Sequence, residues 1–261
     1  MGGINVFAQF FNKGDFYNKY MQLYAMRQAM ANMQMEDSET DILNPLRTQE
    51  LYNNVIAFEN LLQKAPEKIT PYDLMDVNAD VNAGIYDRGW RKTQVNVKRA
   101  KKFFPPQAIQ IAPMVYSAFD SYHNIWLNLD AYEREARLHI ELVRIQPFED
   151  GNKRAARILT NYNLCFQNKA PVIITGSETD EYFGYIDDYD VEGMTKFLDK
   201  KSHEELEIML DLYKSTVDDE VKNSPMETVM DTDSKNVKIA AQLFEGIATK
   251  VNKVYTKIIK K

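Results

Sequence analysis

Between Ile145 and Arg157 the chain reads Ile-Gln-Pro-Phe-Glu-Asp-Gly-Asn-Lys-Arg-Ala-Ala-Arg. An apolar helical run, Leu138 to Ile145, leads into a short loop holding a carboxylate, a glycine and an asparagine. A second helical pattern opens at once with Lys153, Arg154 and Arg157. Backbone N–H groups at a helix start lack intrahelical partners and carry the positive end of the dipole, so they favour an anion. Gly151 permits close approach of the backbone, and Asn152 suits the N-cap. Arg154 and Arg157, three apart, project from the first turns. Asp150 precedes this anion hole and is placed to hold a divalent cation shared with phosphate oxygens. That is chemistry for a nucleotide phosphate. The same residues are also sound turn chemistry between two antiparallel helices with a solvated basic face, and local physics alone does not separate the two.

The stretch resembles the Fic family signature, His-Pro-Phe-x-Asp/Glu-Gly-Asn-x-Arg-x-x-Arg, with Pro147, Phe148, Asp150, Gly151, Asn152, Arg154 and Arg157 in register. The resemblance implies binding of ATP with Mg2+ and transfer of the AMP part to a Ser, Thr or Tyr hydroxyl of a protein. It implies Asp150 for the metal, and Gly151, Asn152, Lys153, Arg154 and Arg157 for the nucleotide. Phe148 would anchor the loop in the core. A tyrosine soon after the motif helix lies beside the nucleotide in the family, and Tyr182 or Tyr185 fills that place here.

The family's proton-accepting histidine falls at Gln146. An amide has no useful titration near neutral pH, so Gln146 is a degenerate base position. His139 lies seven residues upstream, about 10 Å along the preceding helix, and reads as a packing histidine. Lys153 stands where many Fic enzymes have glycine, and Asn-Lys-Arg is similar to the death-on-curing toxins, which transfer phosphate instead of AMP. Unlike that branch, the chain keeps Gly151 and Arg157. Three readings follow: a slow adenylyltransferase, a phosphotransferase, or a nucleotide-binding regulator that does not catalyse. Loss of a general base costs roughly 100- to 10,000-fold, which leaves room for residual transfer.

The elements that must position these residues are mostly helical. Phe16 to Met35 has helical spacing, and Thr48 to Lys64 forms another helix with Thr48 as N-cap and Pro66 beyond its end. Within it Val55-Ile-Ala-Phe-Glu59-Asn60 resembles the inhibitory helix of some Fic proteins, Ser/Thr-x-x-x-Glu-Gly/Asn, with Val at the Ser/Thr place. That resemblance implies that Glu59 pairs with Arg157 and displaces the terminal phosphate. Gly84 to Val97 changes period: Thr93, Val95 and Val97 alternate with polar residues as in a strand. The family has a β-hairpin flap there, which docks the target protein near residues 86–97 as an added strand. Helical spacing resumes from Ile109 to Asn124, and Asp130 precedes the helix that ends at the loop. The motif helix spans Asn152 to Lys169, stopped by Pro171. Ser215 to Ser234 is acidic and loose, and a last helix runs from Ser234 or Asn236 to Lys261.

The expected fold is therefore mainly α. A Fic-type helical core over 65–200 carries one β-hairpin flap. Before it comes an N-terminal helical region, 1–64, with the candidate inhibitory helix at 48–64, and after it a C-terminal helical extension, 201–261. In 261 residues, 44% hydrophobic and 27% charged content describe an ordinary globular chain. A net charge of −6 argues against nucleic acid as partner, and no stretch has the length of a membrane span. A single cysteine, Cys165, excludes an intramolecular disulfide, which suits a reducing cytoplasmic setting.

Overall fold

The computed structural model describes residues 45–62 and 68–221, with scattered residues between 19 and 35. By packing, the chain divides into two compact units, one of residues 1–28 and 209–261 and one of Ala29–Ile208. In the first, the described residues are helical, and the helix expected from Ser234 or Asn236 to Lys261 lies outside them.

The second unit carries the motif. Its elements are α1 (Pro45–Leu62), α2 (Pro71–Val81), α3 (Ala108–Asp120), α4 (Ala131–Ile145), α5 (Asn152–Phe166) and α6 (Thr179–Asp188), with a π turn at Ser121–Ile125 and a 3-10 turn at Gly176–Glu178. Helix α7 (Val191–Val221) begins in it and runs on through Ser215–Val221, which the sequence suggested would be loose. Local chemistry sets the starts. Thr70 and Asp73 form a capping box ahead of α2 with Pro71 in its first turn, and Asp130 accepts a bond from the Tyr132 N–H at 2.8 Å.

Helix α5 is the centre of this unit, packed by α1, α2 and α4. Almost all its residues from Asn152 to Cys165 are buried, polar ones included, which is how a helix reads when neighbours cover every face. The polar groups are therefore bonded across to those neighbours. Asn161 clasps Val172, donating to its carbonyl at 3.0 Å and accepting from its N–H at 2.8 Å. Asn163 donates to Glu135 of α4 at 2.8 Å, and the Tyr122 hydroxyl of the π turn donates to the same carboxylate at 2.5 Å. Burial raises Glu135 to about 7 in spite of these donors.

No strand pairing forms among the described residues. The segment expected as a hairpin, 84–97, is a loop, and the backbone donors of Arg91, Lys92 and Thr93 are engaged by the motif loop instead of by a second strand. The Arg91 N–H donates to the Pro147 carbonyl at 2.9 Å, and those of Lys92 and Thr93 donate to the Glu149 carboxylate at 3.0 and 3.3 Å. An alternating pattern makes a strand only where a neighbour supplies the ladder.

His139 sits between α4, α5 and α6. Its ring nitrogens contact Thr160 Oγ1 at 3.0 Å and the Tyr182 hydroxyl at 2.7 Å. Burial, and then the nearby Arg157 charge, lower it from 6.5 to about 3, so it is neutral in the fold. A depressed histidine contributes stability that is present above its unfolded value near 6.5 and is lost as pH falls towards 3, since the unfolded chain binds the proton more tightly. The thermal midpoint is expected to drop over that interval, and His139→Gln to remove part of the slope. An identical slope in the variant would place the acid sensitivity elsewhere.

Candidate active site

Helices α4 and α5 are joined by residues 146–151, a reversal that depends on two left-handed residues. Gln146 has φ 49° and ψ 64°, and Gly151 has φ 77°. The glycine is required twice over. Its backbone disfavours a side chain, and a Cβ there would lie 2.8 Å from Asn82 Nδ2 and 2.9 Å from Asn78 Nδ2. Gly151 is itself the N-cap of α5, which moves Asn152 one place inside the helix. Its amide then bridges back across the loop: Asn152 Nδ2 donates to the Phe148 carbonyl at 2.9 Å, and the Phe148 N–H donates to Asn152 Oδ1 at 2.8 Å.

Other carbonyls of the loop are gripped as well. Arg91 Nε donates to the Gln146 carbonyl at 2.7 Å, while its guanidinium also holds the carbonyls of Thr93 and Pro106 at 2.6 and 2.5 Å. Asn78 and Asn82 both donate to the Asp150 carbonyl, at 2.9 and 3.1 Å. The carbonyl oxygens of Gln146, Phe148 and Asp150 are thus all turned to side-chain donors.

The side chains divide by environment. Phe148 is buried, with the Trp90 ring 5.3 Å away. Asp150 projects outwards at 54% exposure and pairs with Arg154 at 2.7 Å, whose own side chain is buried. Arg157, also buried, lies beside the His139 and Tyr182 pair. Tyr182 itself is fully buried, so it reaches the site only through Arg157 and His139, and Tyr185 turns to Glu181 at 2.7 Å. Lys153 is half-buried at the first turn of α5. Glu149 is exposed and binds Thr93 by its hydroxyl as well as its N–H; these donors lower its pKa. Gln146 Nε2 donates to the Val143 carbonyl at 2.7 Å, so its amide folds back on α4. Glu59 is half-buried on α1, a helix that packs against α5.

Among the described residues no three His, Cys, Asp or Glu side chains cluster into a ready-made metal cage. An outward carboxylate beside a helix start instead fits a hard cation such as Mg2+, which keeps its waters and shares phosphate oxygens. Sequence reasoning missed Asn78, Asn82, Trp90, Arg91 and Glu149. The one available signal was a pair of asparagines four apart on the apolar face of α2.

A model described as the Fic/DOC family matches residues 68–164. The protein adenylyltransferase fic-1 of Caenorhabditis elegans is 25% identical over 228 residues, covering 80% of this chain and 43% of that protein. The protein adenylyltransferase Fic of Nematostella vectensis is 34% identical over 135 residues, 48% of this chain and 30% of its own length. The chain thus spans less than half the length of the curated relatives it matches. A Fic domain containing signaling protein from Bacteroides thetaiotaomicron superposes with a TM-score of 0.67 at 17% identity, over 81% of this chain and 98% of that one. The helical reversal at 146–151 lies within the residues that the Fic/DOC family model matches, and the fold around it is that of the Fic domain structure it superposes on.

Proposed function

We propose that the domain binds ATP with Mg2+ at the α4–α5 loop and transfers AMP to a hydroxyl of a protein, slowly, because the base position is Gln146. The observation that carries this reading is the gripped loop itself, which sets an outward Asp150 and buried Arg154 and Arg157 around the start of α5. The curated relatives that the chain resembles are named adenylyltransferases, which points to AMP as the group transferred.

In this mechanism Asp150 holds the cation, and the amides of Gly151, Asn152 and Lys153 receive phosphate oxygens with the charge of Lys153 nearby. Arg154 and Arg157 balance phosphate charge, and Tyr182 keeps Arg157 in place from behind. Phe148 fixes the loop in the core. The cation, when bound, neutralises phosphate charge and aids loss of pyrophosphate. The target hydroxyl must lose a proton as pyrophosphate leaves, and because the Gln146 amide cannot accept it, the proton passes to solvent water, which is why transfer is slow. A target would dock near residues 86–97, where Lys92 and Thr93 have already given their N–H groups to Glu149, leaving residues 94–97 as the candidate edge. A reducing, cytoplasmic setting suits the buried thiol of Cys165. No described helix is long and apolar enough to cross a membrane.

A non-catalytic regulator is the second reading, favoured by the Gln146 amide bonded to Val143 and turned back on its own helix. A phosphotransferase is favoured only by Lys153 and is opposed by the retained Arg157. Incorporation of label from ATP labelled at the α- or the γ-phosphate separates the three. Glu59 fits an internal inhibitor, since α1 lies on α5 and a carboxylate competes directly with phosphate for a guanidinium.

Asp150→Ala and Arg157→Ala are each expected to weaken ATP–Mg2+ binding by about 1–3 kcal/mol in calorimetry. Wild-type affinity in both would remove the phosphate-site reading.

Gln146→His is expected to raise AMP incorporation, most clearly together with Glu59→Gly. Histidine tolerates the left-handed backbone at this position and has a pKa suited to proton removal. A double variant that binds ATP yet transfers nothing to itself or a competent target would move the assignment to a regulator.

A further inference from the structure

Asn78 on α2 and Asn82 at its C-cap stand one turn apart on the side that meets the motif loop. Both are buried, at 5% and 1% exposure, and both give an N–H to the one carbonyl oxygen of Asp150, at 2.9 and 3.1 Å. Asn82 also reaches Asn78 Oδ1 at 3.3 Å, which ties the two amides to each other. They form the wall against which Gly151 lies, since a Cβ at 151 would meet their nitrogens first.

The arrangement does more than satisfy a buried oxygen. A carbonyl needs one donor to avoid an orphaned acceptor, and a second donor fixes the direction in which it points. The Asp150 carboxylate hangs from the same residue, next to the peptide plane so fixed. The wall is anchored in turn. Asn53 of α1 donates to the carbonyls of Val81 and Ala83 at 3.3 and 3.4 Å, and Gln49 holds Asn53 at 2.8 Å. Amides therefore run from α1 through the end of α2 to the loop. Groups that orient a ligand residue without touching the metal set metal affinity through geometry.

We propose that Asn78 and Asn82 are positioning residues for Asp150, holding its peptide so that the carboxylate meets a divalent cation carried by the nucleotide. This rests on the ATP–Mg2+ reading of the loop. It assigns a role in that site to a helix 68 to 72 residues away in sequence.

The test is calorimetric titration of ATP into the full chain across a series of magnesium concentrations and in chelator, for wild type, Asn78→Ala, Asn82→Ala and Asp150→Ala. Each asparagine variant leaves one amide on the carbonyl, and the thermal midpoint monitors the fold. Metal-dependent ATP affinity is expected to fall about tenfold in each, the range typical of groups behind a metal ligand. Affinity in chelator should stay at the wild-type level, which a merely structural loss would not leave untouched. Should an alanine variant fail to fold, Asn82→Ser keeps a polar group without the reach to Asp150 and is expected to shift the magnesium dependence in the same direction. Wild-type magnesium dependence in the asparagine variants, with loss in Asp150→Ala, overturns the positioning role alone. Wild-type behaviour in Asp150→Ala overturns the metal reading and this proposal with it.

Discussion

A chain that reverses between two helices in six residues brings its carbonyls into a protein interior, and each must find a donor there. That requirement governs this domain. The oxygens of Gln146, Pro147, Phe148 and Asp150 are met by Arg91, the Arg91 backbone, Asn152 and the Asn78–Asn82 pair. The donors come from three separate parts of the chain, so the loop cannot take its shape until α2 and the segment around 91 are in place. The inward orientation of the loop oxygens is thus a tertiary product.

The electrostatic arrangement follows from the same economy of space. Two arginines in a buried helix would ordinarily be expensive. Arg154 is matched by an Asp150 that stays in solvent, so the pair keeps one end hydrated. Arg157 is set against His139, whose ring is kept neutral by burial and by that charge, and against the Tyr182 hydroxyl. Protonation of His139 would put a second positive charge beside Arg157 in the core. Polar groups in α5 are tolerated because each is aimed at a particular partner, as Asn161 is at Val172.

The helices and the motif were legible because their signals are local. The cap at Asp130, the loop glycine and the paired arginines are all read within a few residues, whereas Thr48, expected as a cap, lies inside α1, which starts three residues earlier at Pro45. The supports were not legible. Asn78 and Arg91 act on oxygens 72 and 55 residues away; the spacing of Asn78 and Asn82 hints at a shared face but not at what it meets, and nothing around Arg91 marks it. The segment 84–97 shows the converse failure: its alternation is local, but strand formation depends on a partner, and Glu149 took that place with a carboxylate. Tyr182 was expected beside the nucleotide because order along the chain gives its helix but not its depth, and the structure sets it wholly inside. Asn152 was read as a cap because a loop asparagine before a helix commonly is one; the glycine before it took the cap and left the amide to brace the loop.

The left-handed backbone at Gln146 has a meaning for descent as well as for shape. Few residue types other than glycine enter that conformation readily, and asparagine, aspartate and histidine are the favoured ones. Glutamine is not among them, yet the loop around it is held by the same network of donors, none of which uses the side chain at 146. The side chain at 146 is therefore not what grips the loop. Glutamine and histidine codons differ only in their third base, so the lineage stands one nucleotide away from an imidazole at this position. The shape of the loop and the identity of the side chain at 146 are set by separate groups, so one can be altered while the other stays as it is.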